Sequence, residues 1–183
     1  MSETAQTPVT GTRIVVGNDG SQPALHALEW ALDHARKVGG SVTVLRAWTL
    51  ATAPRPKTQT FGYVPPRADF EEAVLEDLRA DTAAAVASHG QGVDVRYEAY
   101  AGPAGSALLD ASEHADLVVV SSRGRGGFRG LALGSTSDQL VRHASCPVVV
   151  VRGARTNETD RTRTLDVAVP TAEDRPAEDR PAE

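Results

Sequence analysis

Apolar side chains follow two alternating rhythms along this chain. Short runs dominated by β-branched residues predict strands: Arg13-Ile-Val-Val-Gly17, Ser41-Val-Thr-Val-Leu-Arg-Ala47, Val93-Asp-Val-Arg-Tyr-Glu-Ala99, Asp116-Leu-Val-Val-Val120 and Pro147-Val-Val-Val-Val-Arg152. Between them the spacing is helical. Leu25, Leu28, Leu32 and Ala35, continued by Val38, define a first helix with Ser21 as N-cap, Pro23 in its first turn and Gly39-Gly40 as its stop. Phe70, Val74, Leu75, Leu78, Thr82 and Val86 mark a second, ending at Gly90, and shorter helices are expected over Ala104 to His114 and Ser135 to Ala144. Trp48 to Pro66 has no apolar period and contains Pro54, Pro56, Pro65 and Pro66. A loop of that length is uncommon in a compact domain unless it serves function or moves.

Strand and helix therefore alternate from β to β. That order predicts an α/β fold, an open doubly wound five-stranded parallel sheet with four helices on its two faces, because each right-handed crossover must return to the same end of the sheet. Strand orders 2-1-3-4-5 and 3-2-1-4-5 both suit it, and 3-2-1-4-5 is the one expected. There the first and fourth strands are neighbours from which the chain departs in opposite directions, and ligands sit beyond their carboxyl ends. The turn Asn18-Asp-Gly-Ser21 and a glycine-rich segment, Gly124 to Gly134, fall at those ends.

Composition narrows the classes. The length of 183 residues suits one domain, and an aromatic content of 4% leaves the core to Ala, Val and Leu. The single cysteine, Cys146, excludes an internal disulfide and reads as a small apolar filler. The five histidines lack metal-ligand spacing, and Trp30 and Trp48 read as packing residues. A net charge of −5 without a basic stripe argues against nucleic acid. No apolar run reaches the roughly 20 residues of a membrane span. Met1 to Pro8 has neither a basic nor an apolar leader pattern, so a cytoplasmic location is expected. Residues 1–11 are expected to be flexible, 12–152 to form the folded domain, and 153–183 to be a disordered charged tail, since Thr171 to Glu183 is a near-repeat of charge and proline. Leu165-Asp-Val-Ala-Val169 has the alternation of an edge strand, although an unstructured linker is the preferred reading.

The glycine-rich segment carries the chemistry. Glycines let a backbone approach a ligand closely, and successive N–H groups can gather around an anion. The helix that follows adds unpaired N–H groups and its positive dipole end. Ser135 and Thr136 offer hydroxyls, and Arg123, Arg125 and Arg129 offer positive charge. The segment is a candidate phosphate cradle. It is not a P-loop, which needs a lysine that is absent here, nor a dinucleotide fingerprint, because Arg129 stands where the last glycine belongs.

Gly124-x9-Gly134-Ser135, the ending Val141-Arg-His-Ala-Ser-Cys-Pro-Val-Val-Val-Val151 and the opening Ile14-Val-Val-Gly-Asn-Asp-Gly-Ser21 together resemble the nucleotide-binding branch of the universal stress protein family, over residues 12–152. In one departure, Ser121 stands where the first glycine of the Gly-x2-Gly-x9-Gly motif belongs. The resemblance implies an ATP-binding, homodimeric, nucleotide-dependent regulator of stress response, with Mg2+ accompanying the phosphates. It implies that Gly17 lines the base pocket, that Asp19 faces adenine and ribose, and that Ala47 contacts adenine through its backbone. Val120 and Ser121 would lie beside the ribose, while Gly124, Gly134, Ser135 and Thr136 would hold phosphates. The dimer would join at the last strand, Pro147 to Val151. Two other readings stand beside it. One is a slow ATPase or self-phosphorylating switch with Ser135 or Thr136 as acceptor. The other, for which Ser121 speaks, is a module of the same fold acting through protein contacts alone. Asp19 also admits a plainer role, an Asx-turn at the entry to the first helix.

Overall fold

A computed structural model describes residues 11–124 and 133–152. Its elements are β1 (Arg13–Gly17), α1 (Gln22–Val38), β2 (Ser41–Trp48), α2 (Arg67–His89), β3 (Asp94–Ala101), α3 (Ala104–Ser112), β4 (Leu117–Ser121), α4 (Ser135–His143) and β5 (Val148–Val151). All pairings are parallel, in the order β3-β2-β1-β4-β5. The expected order 3-2-1-4-5 is therefore the observed one. Of the leader expected to be flexible (residues 1–11), residues 1–10 lie outside the described residues, as does the expected charged tail (153–183, with Leu165 to Val169). So do Arg125 and Arg129.

Each element forms where its residues dictate. Ser21 Oγ accepts the Ala24 N–H at 3.3 Å to cap α1, and Gly39 closes the helix at φ +66°, an angle that side-chain-bearing residues rarely adopt. Within β1, successive side chains point to opposite faces. Ile14 and Val16 meet Leu28, Leu32, Val42, Val44 and Leu78 on the face covered by α1 and α2. Val15 meets Leu45, Leu108, Val118, Val120 and Leu140 on the face covered by α3 and α4. The inward positions of α1 include Ala27, Ala31 and Ala35, all buried, so this helix can lie close to the sheet. A third cluster, Trp48 with Phe70 and Val74, closes the carboxyl end of β2.

A few boundaries differ from expectation. β2 and β3 pair over their whole length, Ser41 with Asp94 through Trp48 with Ala101, and so run past Ala47 and Ala99. α3 stops at Ser112 rather than His114, because its last turn tightens: Glu113 N–H donates to Asp110 O and His114 N–H to Ala111 O. Trp30, expected to pack, is 37% exposed and stacks on the His34 ring one turn along α1. Among the described residues, no helix is long and apolar enough to cross a membrane.

The amino end of β1 is tied to the start of β4 by an exposed pair. The Arg13 guanidinium donates to both Asp116 oxygens, at 3.1 and 3.0 Å, and its backbone N–H adds a bond of 2.8 Å. The side-chain bonds first, then the backbone one, hold the Asp116 carboxyl down at about 2, against 3.8 ordinarily. A depressed folded-state pKa gives stability that is present above the ordinary value and lost as pH falls towards 2. Urea unfolding at pH 5, 4, 3 and 2 should therefore show a steeper loss for the wild type than for Asp116→Asn. The difference should be small, because the pair is exposed.

Candidate functional site

β1 and β4 end side by side, and the two segments that leave them form the walls of a crevice. Gly17 ends β1 against Leu108 and Val120. A Cβ there would lie 2.9 Å from Leu108 Cδ1, so any larger residue would displace the α3 face. Asn18 follows, its N–H donating to Leu45 O at 2.9 Å. Its Oδ1 accepts from Gly20 N–H at 2.9 Å and from Arg46 Nη2 at 2.8 Å, which fixes the orientation of the amide. Asp19 Oδ1 accepts the Ser21 N–H at 3.0 Å, the Asx-turn geometry.

On the other wall, the segment after β4 is drawn together at its two ends. Gly134 N–H donates to Ser122 O at 2.8 Å, and Ser137 Oγ donates to Ser121 O at 2.7 Å. The Ser121 hydroxyl itself donates to Arg123 O at 2.7 Å, so its proton tightens the turn it sits in. These bonds place Gly124 against Asp19, close enough that a Cβ on Gly124 would lie 2.6 Å from Asp19 Oδ2. α4 then begins with Gly134 as a cap that offers no side chain. Its first backbone bond runs from Asp138 N–H to Gly134 O, so the N–H groups of Ser135, Thr136 and Ser137 precede the helical ladder. Asp138 in that first turn is paired with Arg142 at 3.0 Å.

The cavity between these walls is about 900 Å3, within the range of small-molecule sites. Gly17, Asp19, Ala47, Val120, Ser121, Gly124, Gly134, Ser135 and Thr136 all line it. The nine residues singled out from sequence thus lie around one space, although they come from four separate stretches of chain. Arg123 lines it too, as do Thr52 and Pro54 from the proline-rich segment after β2. Among the described residues, no three His, Cys, Asp or Glu side chains are grouped to hold a metal.

Sequence reasoning missed the polar anchor beneath the crevice. Arg46, with a side chain 9% exposed, donates through Nε to Asn18 O at 3.3 Å and through Nη2 to Asn18 Oδ1. The same guanidinium reaches Asp77 Oδ2 through Nη1 and Asp81 Oδ2 through Nη2, each at 2.8 Å. One buried cation thereby joins the β1–α1 turn to α2. The available signals were a lone arginine in an apolar strand and two aspartates one helical turn apart. Arg46 and Asp77 both line the cavity.

The sequence profile of the universal stress protein family matches residues 11–152. Universal stress protein Rv2624c of Mycobacterium tuberculosis is 32% identical over 139 residues, which cover 76% of this chain and 47% of that protein. The chain thus spans about half the length of the curated relatives it matches. Among solved structures, universal stress protein UspA from Lactobacillus plantarum superposes with a TM-score of 0.54 at 25% identity, over 77% of this chain and 97% of that one. A universal stress protein in complex with cAMP shares the fold, with a TM-score of 0.55 at 23% identity over 79% of this chain and 98% of its own.

Replacing Arg46 with methionine keeps the apolar stem but leaves two carboxylates and the Asn18 oxygens without their cation. Breaking a buried pair from one side costs about 3–5 kcal/mol. Because Asp77 and Asp81 keep access to water, Arg46→Met should fall at the lower end, about 3 kcal/mol by urea unfolding. A change near zero would show that the anchor contributes nothing to the turn.

Proposed function

The chain belongs to the universal stress protein family, and we propose that it binds an adenine nucleotide, ATP with Mg2+, in the crevice beyond β1 and β4. The observation that carries this reading is the closure of the glycine segment. With Gly134 N–H bonded to Ser122 O, the backbone at Gly124 and the open N–H groups at the start of α4 share one wall of a cavity of nucleotide size. Gly124, Gly134, Ser135 and Thr136 hold the phosphates. Val120 and Ser121 flank the ribose, and Asp19 faces adenine and ribose from the opposite turn. Gly17 and the Ala47 backbone border the base. The residues present suit such a ligand, since the missing Cβ lets the Gly124 backbone lie this close to Asp19. Mg2+ would neutralise the phosphates and take its oxygens from them, from water and from the hydroxyls of Ser135 and Thr136. The related structure in complex with cAMP supports a nucleotide. The Ser121 hydroxyl, donating within its own turn, supports the loop closure that the motif glycine would serve.

The same proposal makes the protein a cytoplasmic, nucleotide-dependent regulator that works as a homodimer through β5. The two sheet edges differ in kind. β3 presents exposed Asp94, Arg96 and Glu98 in alternation, a charged border that resists pairing. β5 presents only valines. Pro147 O and Val151 O accept from Val118 and Ser122 N–H, so the intervening alternation turns the backbone of Val148 and Val150 outward.

Equilibrium dialysis with labelled ATP and Mg2+ tests the nucleotide. Wild type should bind, and Gly124→Ala, which pushes the Asp19 carboxylate aside, should bind at least about tenfold more weakly, a loss of about 1.4 kcal/mol. A wild type that binds no ATP removes the proposal. Sedimentation velocity tests the assembly. Wild type should sediment as a dimer and Val150→Pro, which deletes an outward N–H, as a monomer. A monomeric wild type at every concentration would remove the edge pairing.

A further inference from the structure

We propose that Asp77 selects the base: its carboxylate, held by Arg46, accepts a hydrogen bond from the exocyclic amino group of a 6-aminopurine and so disfavours a 6-oxopurine. This inference rests on the nucleotide reading and goes one step further, to the identity of the ring. Sheet order sets the orientation. The glycine segment and α4 leave from β4, on one side of β1, while β2 and α2 lie on the other. A ligand with its phosphates on the β4 side extends its base towards β2. There the lining is mostly apolar: Leu45, Trp48, Val74 and Pro54. The charged groups on that side are Arg46 and Asp77.

Four of the five Arg46 N–H groups donate to Asn18, Asp77 or Asp81. Asp77 is half committed. Its Oδ2 receives Nη1 at 2.8 Å, and its Oδ1 makes no hydrogen bond with the described residues. Its side chain is 50% exposed and faces the cavity. The ion pair at the edge of this pocket therefore presents an acceptor, Asp77 Oδ1, on a side where Asn18 Nδ2 and Trp48 Nε1 are buried donors without a partner among the described residues. Asp19, the other carboxylate on the β1 side, lies against Gly124. A 6-amino group donates to such an acceptor. A 6-oxo group turns its own lone pairs towards it, and because Asp77 keeps access to water the penalty is one of repulsion rather than of a buried unpaired charge.

Competition dialysis of the full chain with ATP and ITP, which differ only at this edge of the ring, provides the test. Wild type should prefer ATP by at least about tenfold. In Asp77→Asn the Arg46 Nη1 still requires an acceptor, so the amide oxygen turns to it and the NH2 group faces the ring. The preference should then reverse towards ITP, a change of sign that loss of stability alone does not produce. In Asp77→Ala, where Asp81 keeps the guanidinium paired, the ratio should approach one. Equal binding of ATP and ITP by wild type, or a ratio unchanged in both variants, overturns the inference while leaving the nucleotide reading intact. Binding of neither nucleotide by wild type removes that reading, and this inference with it.

Discussion

Parallel strands that are neighbours in space but distant in sequence impose a constraint here that no side chain can remove. β1 and β4 lie side by side, yet β1 hands the chain to α1 on one face and β4 hands it to α4 on the other. The two connections must part, and the space between them opens at the carboxyl ends of both strands. Everything polar in the crevice is arranged around that separation. Asn18 and Asp19 turn the chain one way, and Ser121 to Gly124 turn it the other, with the α4 N-terminus alongside.

A crevice made from two departing loops needs both loops held still. On the β4 side this is done by main-chain and hydroxyl bonds, Gly134 to Ser122 and Ser137 to Ser121. On the β1 side it is done by a charge. Arg46 is removed from water, which is costly unless its donors are met, and four of its five N–H groups are met by Asn18 and by two acids of α2. The site is therefore built across the whole sheet: α2, which packs over β2 and β3, stabilises a turn that belongs to β1.

Much of this was legible in the chain. The β-branched runs and helical spacings give nearly every element, because buried parallel strands are continuous apolar runs and the helices show a one-sided stripe. Asp19, Gly124 and Gly134 were legible because turn chemistry and glycine mark where a backbone must bend or approach closely. Ser121 was legible as a departure from a motif, but not the use of its hydroxyl on Arg123 O, which depends on loop geometry. Arg46, Asp77 and Asp81 stayed hidden for a different reason. Their partners are 28 to 35 positions away, and local periodicity carries no information about which surface aspartate a strand arginine will meet. Trp30 misled because bulk suggests burial, whereas its place on the outer side of α1 leaves it stacked on His34.

The central claim, that the parting of β1 and β4 makes a nucleotide crevice, is tested most directly by a crystal structure determined after soaking with ATP and Mg2+. The account predicts electron density with the phosphates against the backbone of Gly124 and Gly134 and the first N–H groups of α4, and with the base directed towards Ala47 and Trp48. A crevice without nucleotide at saturating ATP, or a nucleotide bound elsewhere on the molecule, would contradict it.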